Sequence, residues 1–429
     1  MTETRDKIFE INNKIWYTAT ATVTPYATDV FGANIVSNEW NEATGEGVIT
    51  FDGNITAIGD YAFMQCMKLT SATIPDSVTT IGKNAFEGCS SLTSITIPDS
   101  VTKIEYAAFA YCTGELIINS KIVETDYIGF SYEEGVGQII HYPSYNSWLK
   151  YSRFTKLSIG DNIERVGNYV FYACNTIEEI ILSNSITSIG TRAFEGCSPN
   201  QIIIPLNVKS IEERAFADSR AENITISNGV ISIGNEAFTG ASISNITIPG
   251  SVVKIEGNPF SSCTNLSEFN GKFASEDKLC LILDKKLHSF AIGKNVTEYT
   301  IPSLVTNVGK TAFAHGEILK CITIPDSVTS IEEYAFYGCE KLTNVFVGRN
   351  VSHIGKYAFN NIGTNTPNPT IISIYIQSIV PPMIDGKILS LYSWDETNIY
   401  VPLEVEELYK TSDWWDDYAD YIIGYNFSE

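Results

Sequence analysis

Nine cysteines and four histidines are the side chains of this 429-residue sequence that could bind a metal or serve as nucleophile and base. The cysteines contain no C-x-x-C pair, and no histidine has the spacing of an H-E-x-x-H helix. A G-x-S-x-G turn and a glycine-rich phosphate loop are also absent. The sequence therefore predicts no catalytic, metal or cofactor-binding residues, and we expect a protein that is not an enzyme.

Seven of the nine cysteines recur at one position of a repeated phrase, of which "IPDSVTSIEEYAFYGC" is an example. Each of them follows a phenylalanine by three residues, so stacked copies of the phrase would place the thiols in one buried column. Because nine is odd and the side chains of stacked units run parallel, we expect free, buried thiols rather than disulfides. The seven are Cys66, Cys89, Cys112, Cys174, Cys197, Cys263 and Cys339.

The phrase is set by anchor phenylalanines that mostly lie 22 or 23 residues apart. Its apolar residues follow L-x-x-I-x-I-x-x-x-V-x-x-I-G-x-x-A-F, in which I-x-I alternates as a strand does. The V-x-x-I-G-x-x-A-F part is too short for a full helix and predicts a 3₁₀ or irregular turn. One unit cannot bury its apolar side alone, so units must stack. The predicted fold class is a repeat solenoid of α/β-type leucine-rich repeats, with a parallel β-sheet on the concave face, short turns on the convex face and non-repeat caps.

The spacing of the anchors is broken twice, between Phe109 and Phe171 and between Phe260 and Phe313. We interpret the first gap as a degenerate unit that ends at Phe130 and is followed by an inserted loop. The second gap contains "KLCLILDKKLHSF", whose alternation predicts a β-hairpin in place of the ordinary turn. The predicted organisation is an N-terminal hairpin cap over residues 1–47, a solenoid over 48–380 with insertions near 131–151 and 270–291, and a C-terminal cap over 381–429.

The charge balance limits the partners that the chain can have. Asp and Glu number 50 against 28 Lys and Arg, which gives a net charge of -22. Such a chain repels nucleic acid and anionic membrane surfaces. No apolar run reaches the roughly 20 residues that would cross a bilayer. The first residues lack the apolar region of a secretory signal, which fits a cytosolic chain or an exported one whose signal has been removed.

The repeated phrase resembles that of BspA-like leucine-rich repeat proteins, which occur largely on bacterial cell surfaces. The likeness covers nearly the whole chain, and the segments "FGANIVSNEWNEATGEGVITFDG" and "IYVP" resemble proteins of gut-dwelling bacteria. The chain departs from the usual leucine-rich repeat in having "IPDS" where an Asn ladder would follow the strand. The resemblance implies an extracellular or cell-surface location and a monomeric protein that binds, or adheres to, an extracellular protein or glycan.

Residues that point outward from the predicted strands are the first candidates for partner binding. Eight of these thirteen positions are Thr or Ser, which suit a half-exposed sheet without any binding role. Two pairs on neighbouring units depart from that pattern, Ile181 with Ile203 and Phe346 with Tyr375, and exposed apolar patches often mark contact sites. The row is Thr50, Thr73, Thr96, Ile117, Ser158, Ile181, Ile203, Thr225, Thr247, Thr300, Thr323, Phe346 and Tyr375.

The first insertion supplies the second group of candidates, Tyr132, Tyr142, Tyr145 and Trp148. Long loops without regular structure are often functional, and Tyr and Trp are enriched at binding hot spots. Alternatively, these aromatic side chains fold back and cover the degenerate unit beneath them. A carbohydrate-binding module that stacks sugars on exposed aromatic rings is the rival to a protein binder. An enzyme would need a cleft with convergent histidines and carboxylates, which the sequence does not display.

Overall fold

The computed structural model divides the chain into two compact units, Met1–Ala221 and Glu222–Glu429. Both units are built from the same kind of turn, and the fold is a β-solenoid of about 14 turns with mostly parallel strands and little helix. The predicted fold class is thereby confirmed. The residues that the structure describes are 12–125, 147–363, 372–389 and 397–427.

Residues 92–112 show the parts of a single turn. The long strand Ser94–Ile97 directs its two isoleucines inward, and Pro98 then ends the strand because it has no N–H to donate. A two-residue short strand, Lys103–Ile104, follows, and a turn buries the anchor Phe109. All five apolar positions predicted for the core are buried, namely Ile95, Ile97, Val101, Ile104 and Phe109.

The described part of the first unit contains six long strands of the repeat and six short ones. Neighbouring long strands from Ser94 to Leu182 pair in parallel with unbroken register, and the short strands form parallel ladders of their own. The long strands are Leu69–Ala72, Ser94–Ile97, Glu115–Ile118, Lys156–Ile159, Glu179–Leu182 and Gln201–Ile204. The short strands are Ala57–Ile58, Thr80–Ile81, Lys103–Ile104, Arg165–Val166, Ser188–Ile189 and Ser210–Ile211, and the 3₁₀ helices are Lys121–Glu124 and Ser147–Leu149.

Antiparallel strands precede the repeat in the first unit: Lys14–Ala19, Ile35–Asn41 and Glu46–Phe51. Strand Lys14–Ala19 lies between Glu46–Phe51 and the first long strand, Leu69–Ala72, and pairs antiparallel with both. The first long strand therefore pairs on one side with a strand that precedes the repeat. This strand separates Thr50 from the rest of the outward row in which the sequence placed it.

The second unit continues with the same two kinds of strand. Its long strands pair in parallel from Glu298 to the end of the described chain. They are Asn223–Ile226, Asn245–Ile248, Glu268–Gly271, Glu298–Thr300, Cys321–Ile324, Asn344–Val347, Ile372–Ile376, Thr397–Pro402 and Ile422–Tyr425. The short strands are Ser232–Ile233, Lys254–Ile255, Asn307–Val308, Ser330–Ile331, His353–Ile354 and Met383–Ile384.

The second unit ends in short helices that cover the last turns. They are the 3₁₀ helix Leu403–Val405, the α-helix Glu406–Lys410 and the 3₁₀ helix Asp416–Tyr421. Trp415 is fully buried, and its Nε1 donates to the Pro382 carbonyl at 2.8 Å. Large aromatic side chains with a satisfied polar group thus close the apolar end of the stack.

A β-hairpin fills the second gap in the anchor spacing. Strands Cys280–Leu283 and Lys286–Phe290 pair antiparallel, and Asp284 and Lys285 take left-handed backbone angles, as a tight two-residue hairpin turn requires. The second strand also joins the short-strand ladder, and Phe290 stacks on Phe313 at 4.7 Å. Phe290 therefore occupies the anchor position, which the "AF" pattern of the sequence did not reveal.

The segment predicted as a 3₁₀ or irregular turn is more regular than expected. Some of its N–H groups bond within the turn, as that of Glu87 does to Asn84 three residues before it, whereas the N–H of Phe86 donates to Ala108 of the next turn at 2.7 Å. The backbone is left-handed two residues before and two after the anchor, at Asn84 and Gly88. N–H groups that bond within the turn thus alternate with N–H groups that bond to the next turn. A continuous 3₁₀ helix would not provide the bonds between turns.

Buried thiols add one more contact between turns. The Cys89 thiol donates to the carbonyl of Phe63, the anchor of the preceding turn, at 3.1 Å. The same carbonyl also accepts the N–H of Cys66 in its own turn. Equivalent S–H donors reach anchor carbonyls at 3.0–3.2 Å from Cys112, Cys197, Cys263 and Cys339. All nine cysteines are free thiols, so the recurring residue is a small apolar group that also satisfies a buried carbonyl.

The anchor column generates a stability prediction. Phe86 is fully buried and stacks between Phe63 at 5.3 Å and Phe109 at 5.4 Å. Replacing Phe86 by Ala should lower the free energy of unfolding by about 3–5 kcal/mol, because it opens a cavity between two rings. Phe86→Leu is the matched control and should cost less. Urea unfolding measures both, and a loss below about 1 kcal/mol for Phe86→Ala would mean that the column contributes little.

A second prediction concerns alkaline pH. Burial raises the pKa of Cys339 to about 12. A thiol pKa raised on folding adds stability that is complete below the unfolded value of about 8.5 and is lost as the pH rises towards the folded value. The urea midpoint should therefore stay level up to about pH 8 and fall above about pH 9.

The variant Cys339→Ser tests the cause of that fall. The hydroxyl can still donate to the Phe313 carbonyl, which the thiol reaches at 3.2 Å, but it does not titrate in this range. We expect a lower midpoint at neutral pH and a smaller decrease between about pH 9 and 11. An identical decrease in the variant and the parent would assign the alkaline effect to other groups.

Candidate interaction surface

The two apolar pairs expected on the strand face lie in different units and differ in exposure: Ile181 and Ile203 are exposed, whereas Phe346 and Tyr375 are half-buried. In the first unit, Ile181 and Ile203 occupy the outward position of Glu179–Leu182 and Gln201–Ile204, and 43% and 54% of their respective areas are accessible. Glu179, two residues before Ile181, lies 3.6 Å from Lys156 on the preceding strand. The isoleucines thus form a small apolar patch beside a charged pair.

In the second unit, Phe346 and Tyr375 belong to a longer row of rings. Parallel register places Phe346, Tyr375 and Tyr400 at the same outward position of three neighbouring strands. Their rings stack face to face, with centroids 4.8 Å apart for the first pair and 4.7 Å for the second. The spacing is that of the strands themselves, so the backbone register creates the stack.

Two further rings extend the row at the last strand. Tyr425 packs edge-on against Tyr375 and Tyr400, at 5.6 Å and 5.5 Å, and Phe427 packs edge-on against Tyr425 at 5.0 Å. These contacts fall in the range that favours aromatic pairs. We name Phe346, Tyr375, Tyr400, Tyr425 and Phe427 the aromatic strip.

The aromatic strip offers ring edges rather than ring faces. Both faces of Tyr375 are covered, by Phe346 on one side and Tyr400 on the other. What remains accessible are the C–H edges and the hydroxyl groups, and 40% of Tyr425 is exposed. The residues that precede the strip rings by two positions on the three strands are uncharged, namely Asn344, Ser373 and Asn398. The surface is therefore apolar and hydrogen-bonding, with no charge of its own.

Sequence reasoning missed three members of the strip. Tyr400 was recognisable, because "IYVP" repeats the pattern of "ITIP" and places the tyrosine where Thr323 stands. Tyr425 ends a strand without the proline signature, in "IIGYNF", and Phe427 follows it, so neither has such a signal. The strip is consequently more than twice as long as the predicted pair of rings.

Trp148 is not a surface residue, contrary to the prediction. It is 1% exposed, and its ring packs edge-on against Phe109 at 6.2 Å. The Trp148 carbonyl accepts the N–H of Phe109, as the Ala108 carbonyl accepts that of Phe86 one turn earlier. Residues near Trp148 therefore complete the degenerate turn, and the covering interpretation holds for this side chain. Phe130, Tyr132, Tyr142 and Tyr145 lie outside the described residues.

The described histidines have separate structural partners. His288 is buried, with Nδ1 3.0 Å from the Gly257 carbonyl, and burial lowers its pKa. His353 Nε2 lies 2.9 Å from the Asp385 carboxylate. His315 packs edge-on against Tyr337. Across the part of the chain that the structure describes, no group of three His, Cys, Asp or Glu side chains is arranged to hold a metal ion. A search of the same residues for an apolar helix of membrane-spanning length found none.

Comparison with known families identifies the repeat. The sequence profile described as "BspA type Leucine rich repeat region (6 copies)" matches residues 40–136, 144–267 and 286–378. No curated protein matches the chain.

Solved structures of leucine-rich repeat proteins are similar to this chain. A leucine-rich repeat protein from Bacteroides ovatus is 22% identical over 87% of this chain and 88% of that one, with a TM-score of 0.52. Another from Eubacterium ventriosum is 23% identical over 62% of this chain and 70% of that one, with a TM-score of 0.51. A leucine rich cell surface protein from Faecalibacterium prausnitzii is 21% identical over 90% and 91%, with a TM-score of 0.43. At these identities the first two show a shared fold.

The position of Trp148 generates a third prediction. Trp148→Ala should lower the free energy of unfolding by about 3–5 kcal/mol, because a buried ring on the Phe109 column is lost. Trp148→Phe should be tolerated better, since Nε1 of the tryptophan has no hydrogen-bond partner in the described structure and its removal leaves no acceptor unsatisfied. Thermal or urea unfolding measures the stability of both variants. An unchanged midpoint for Trp148→Ala would contradict the buried position of this side chain.

Proposed function

Because the chain belongs to the BspA-type leucine-rich repeat family, we propose that it is a non-catalytic binding protein of the bacterial cell surface or the secreted fraction. Its partner is an extracellular protein, and the aromatic strip is the main contact surface. The family membership supports a repeat protein without catalytic chemistry. Adhesion and a protein partner are the specific parts of this proposal, and the aromatic strip supports them.

The single observation that carries this proposal is the uncharged row of five rings on the strand face, in which Tyr425 is exposed and the other four rings are half-buried. A soluble, strongly acidic chain gains nothing in solubility from such a row. Tyrosine side chains held by stacking lose little conformational freedom when a partner binds, which is one reason that tyrosine is common at hot spots. The strip is therefore a preorganised anchor surface.

A carbohydrate partner is the second candidate for the same surface, because amides of Asn344 and Asn398 lie beside the rings. Sugar recognition by stacking needs an open aromatic face, however, and the faces of Tyr375 are covered at 4.8 Å and 4.7 Å by its neighbours. Ring edges and phenol hydroxyls suit the aliphatic and backbone groups of a protein better. We therefore favour the protein partner.

The proposal predicts how binding responds to substitution. Purified protein would be tested against a panel of extracellular-matrix proteins and, separately, against a glycan array. The variant Tyr375→Ser/Tyr400→Ser should weaken binding to its protein target by about tenfold or more, because two central anchors are removed. Binding should change little with salt, since the strip carries no charge.

The variant Ile181→Ser/Ile203→Ser is the matched control on the strand face of the first unit. It removes an apolar pair that is more exposed than Tyr375 and Tyr400 and should leave the affinity unchanged. Melting curves of all variants confirm that each remains folded. Loss of binding in the isoleucine variant alone would assign the binding site to the first unit. Binding to neutral glycans but to no protein would establish the carbohydrate alternative instead.

A further inference from the structure

A second cluster of rings lies in the first unit, where residues 106–111 meet residues 150–153. It contains Tyr106, Tyr111 and Tyr151, which are 42%, 39% and 57% exposed, together with the exposed side chains of Lys150 and Arg153. We name these five residues the tyrosine–cation cluster. It is separate from the aromatic strip, and the proposed function makes no use of it.

The backbone holds the cluster in place. The N–H of Tyr111 donates to the Tyr151 carbonyl at 2.9 Å, and the N–H of Arg153 donates to the Cys112 carbonyl at 2.8 Å. Tyr111 and Tyr151 both have left-handed backbone angles, with φ of 61° and 63°. Their rings stack at 5.9 Å and are nearly parallel. The two segments are therefore fixed in register, and their rings need no rearrangement to meet a ligand.

The two cations lie against the rings. Lys150 Nζ is 5.0 Å from the centroid of Tyr106 and 5.1 Å from that of Tyr151, and the guanidinium carbon of Arg153 is 5.3 Å from that of Tyr111. These are cation–π distances. A hydrogen bond with Tyr106 also raises the pKa of Lys150, so the ammonium group stays charged at neutral pH.

The charge of this cluster departs from the rest of the surface. Acidic residues outnumber basic ones by 50 to 28, and many cations elsewhere are paired, as Lys103 is with the nearby Glu105. Among the described residues, Lys150 and Arg153 form no salt bridge with a carboxylate, and the cluster adds three phenol hydroxyls. On a chain of net charge -22, two cations without a carboxylate partner in its described part form a local surface that favours an anionic ligand.

We propose that the tyrosine–cation cluster binds an anionic saccharide, a sugar that carries a carboxylate or a sulfate group. The ammonium and guanidinium groups donate charge-assisted hydrogen bonds to the anionic group. The phenol hydroxyls and the exposed ring edges contact the sugar hydroxyls and C–H groups beside it. The overall negative field disfavours a densely charged polyanion such as a nucleic acid, whereas one or two anionic groups match the two cations.

An acidic peptide would present the same carboxylate and is the main competitor for this surface. An extended peptide gains much of its affinity from backbone hydrogen bonds to a free strand edge. Here the N–H groups of Tyr111 and Arg153 are already used between the turns. Recognition must therefore come from side chains, and a compact saccharide with many hydroxyl groups fits five side chains better than an extended chain does.

The test measures binding of two pairs of small probes to the intact protein by calorimetry. Sialyllactose against lactose examines a carboxylate, and a sulfated heparin disaccharide against its desulfated form examines a sulfate. We expect at least one anionic probe to bind about tenfold or more tightly than its neutral counterpart. The variant Lys150→Ala/Arg153→Ala should remove that preference, and salt raised from about 0.05 M to 0.5 M should weaken it, because exposed charges are screened.

Two controls make the result specific. Lys68→Ala removes another exposed lysine of the first unit and should leave the preference intact. Lys150→Arg keeps the charge and should retain most of the binding, whereas a merely structural cation would show no ligand preference in any variant. Equal binding of anionic and neutral probes, an unaffected double variant, or a glutamate-rich peptide that binds more tightly than every saccharide would each overturn the proposal. The variants separate these outcomes from those of the aromatic strip, because this test depends on Lys150→Ala/Arg153→Ala and that of the strip depends on Tyr375→Ser/Tyr400→Ser.

Discussion

In each unit, the described turns share one core, in which the recurring apolar side chains pack against the equivalent positions of neighbouring turns. The anchor rings show this packing most directly, because Phe86 is enclosed by Phe63 and Phe109 rather than by residues of its own turn. The backbone follows the same rule through N–H groups that donate across turns. Even the thiol of Cys89 finds its acceptor, the Phe63 carbonyl, one turn away. Stability is thus a sum of contacts between neighbours, and exact register is the constraint on which the fold rests.

The same register that builds the core also builds the surface. A residue that points outward is repeated at the strand spacing wherever neighbouring turns carry similar side chains, so Phe346, Tyr375 and Tyr400 become a stack instead of isolated rings. Threonine at these positions forms a uniform polar row, whereas aromatic residues on successive turns form a rigid apolar strip. The tyrosine–cation cluster arises differently. It lies where the repeat is interrupted and Lys150, Tyr151 and Arg153 follow a substitute turn that has no counterpart in the regular units. Repetition and interruption therefore create two kinds of surface.

Most of the fold could be predicted because its residues repeat, and the failures occur where repetition stops. The period and the inward positions follow from the pattern of Ile95, Ile97 and Phe109 alone. The anchor role of Phe290 was missed because a hairpin strand presents it without the preceding Ala of "AF". Trp148 was assigned to the surface because it belongs to a long tyrosine-rich insertion, whereas its ring packs on Phe109 and its carbonyl accepts the N–H of Phe109 as a residue of the next turn does elsewhere. For the candidate site, Ile181, Ile203, Phe346 and Tyr375 were predictable from alternation, but the cations over Tyr106 and Tyr111 were not, since their approach depends on how the interrupted turn closes.

Net charge and register together explain why binding surfaces stand out on this chain. Buried columns of side chains tolerate little variation, because a change at one turn disturbs both neighbouring turns. Differences in ligand must therefore depend on outward residues. Those residues sit in a strongly negative field that keeps the stacked sheets soluble and repels anionic surfaces. A neutral aromatic strip and a cationic cluster are the two ways in which a local surface can escape that repulsion, by carrying no charge or by reversing it. In the proposed roles, the first contacts partners through shape and apolar surface, and the second selects for negative charge over a range limited by screening to about 10 Å. The two surfaces thus differ in their chemistry, with apolar contact area in one and positive charge in the other.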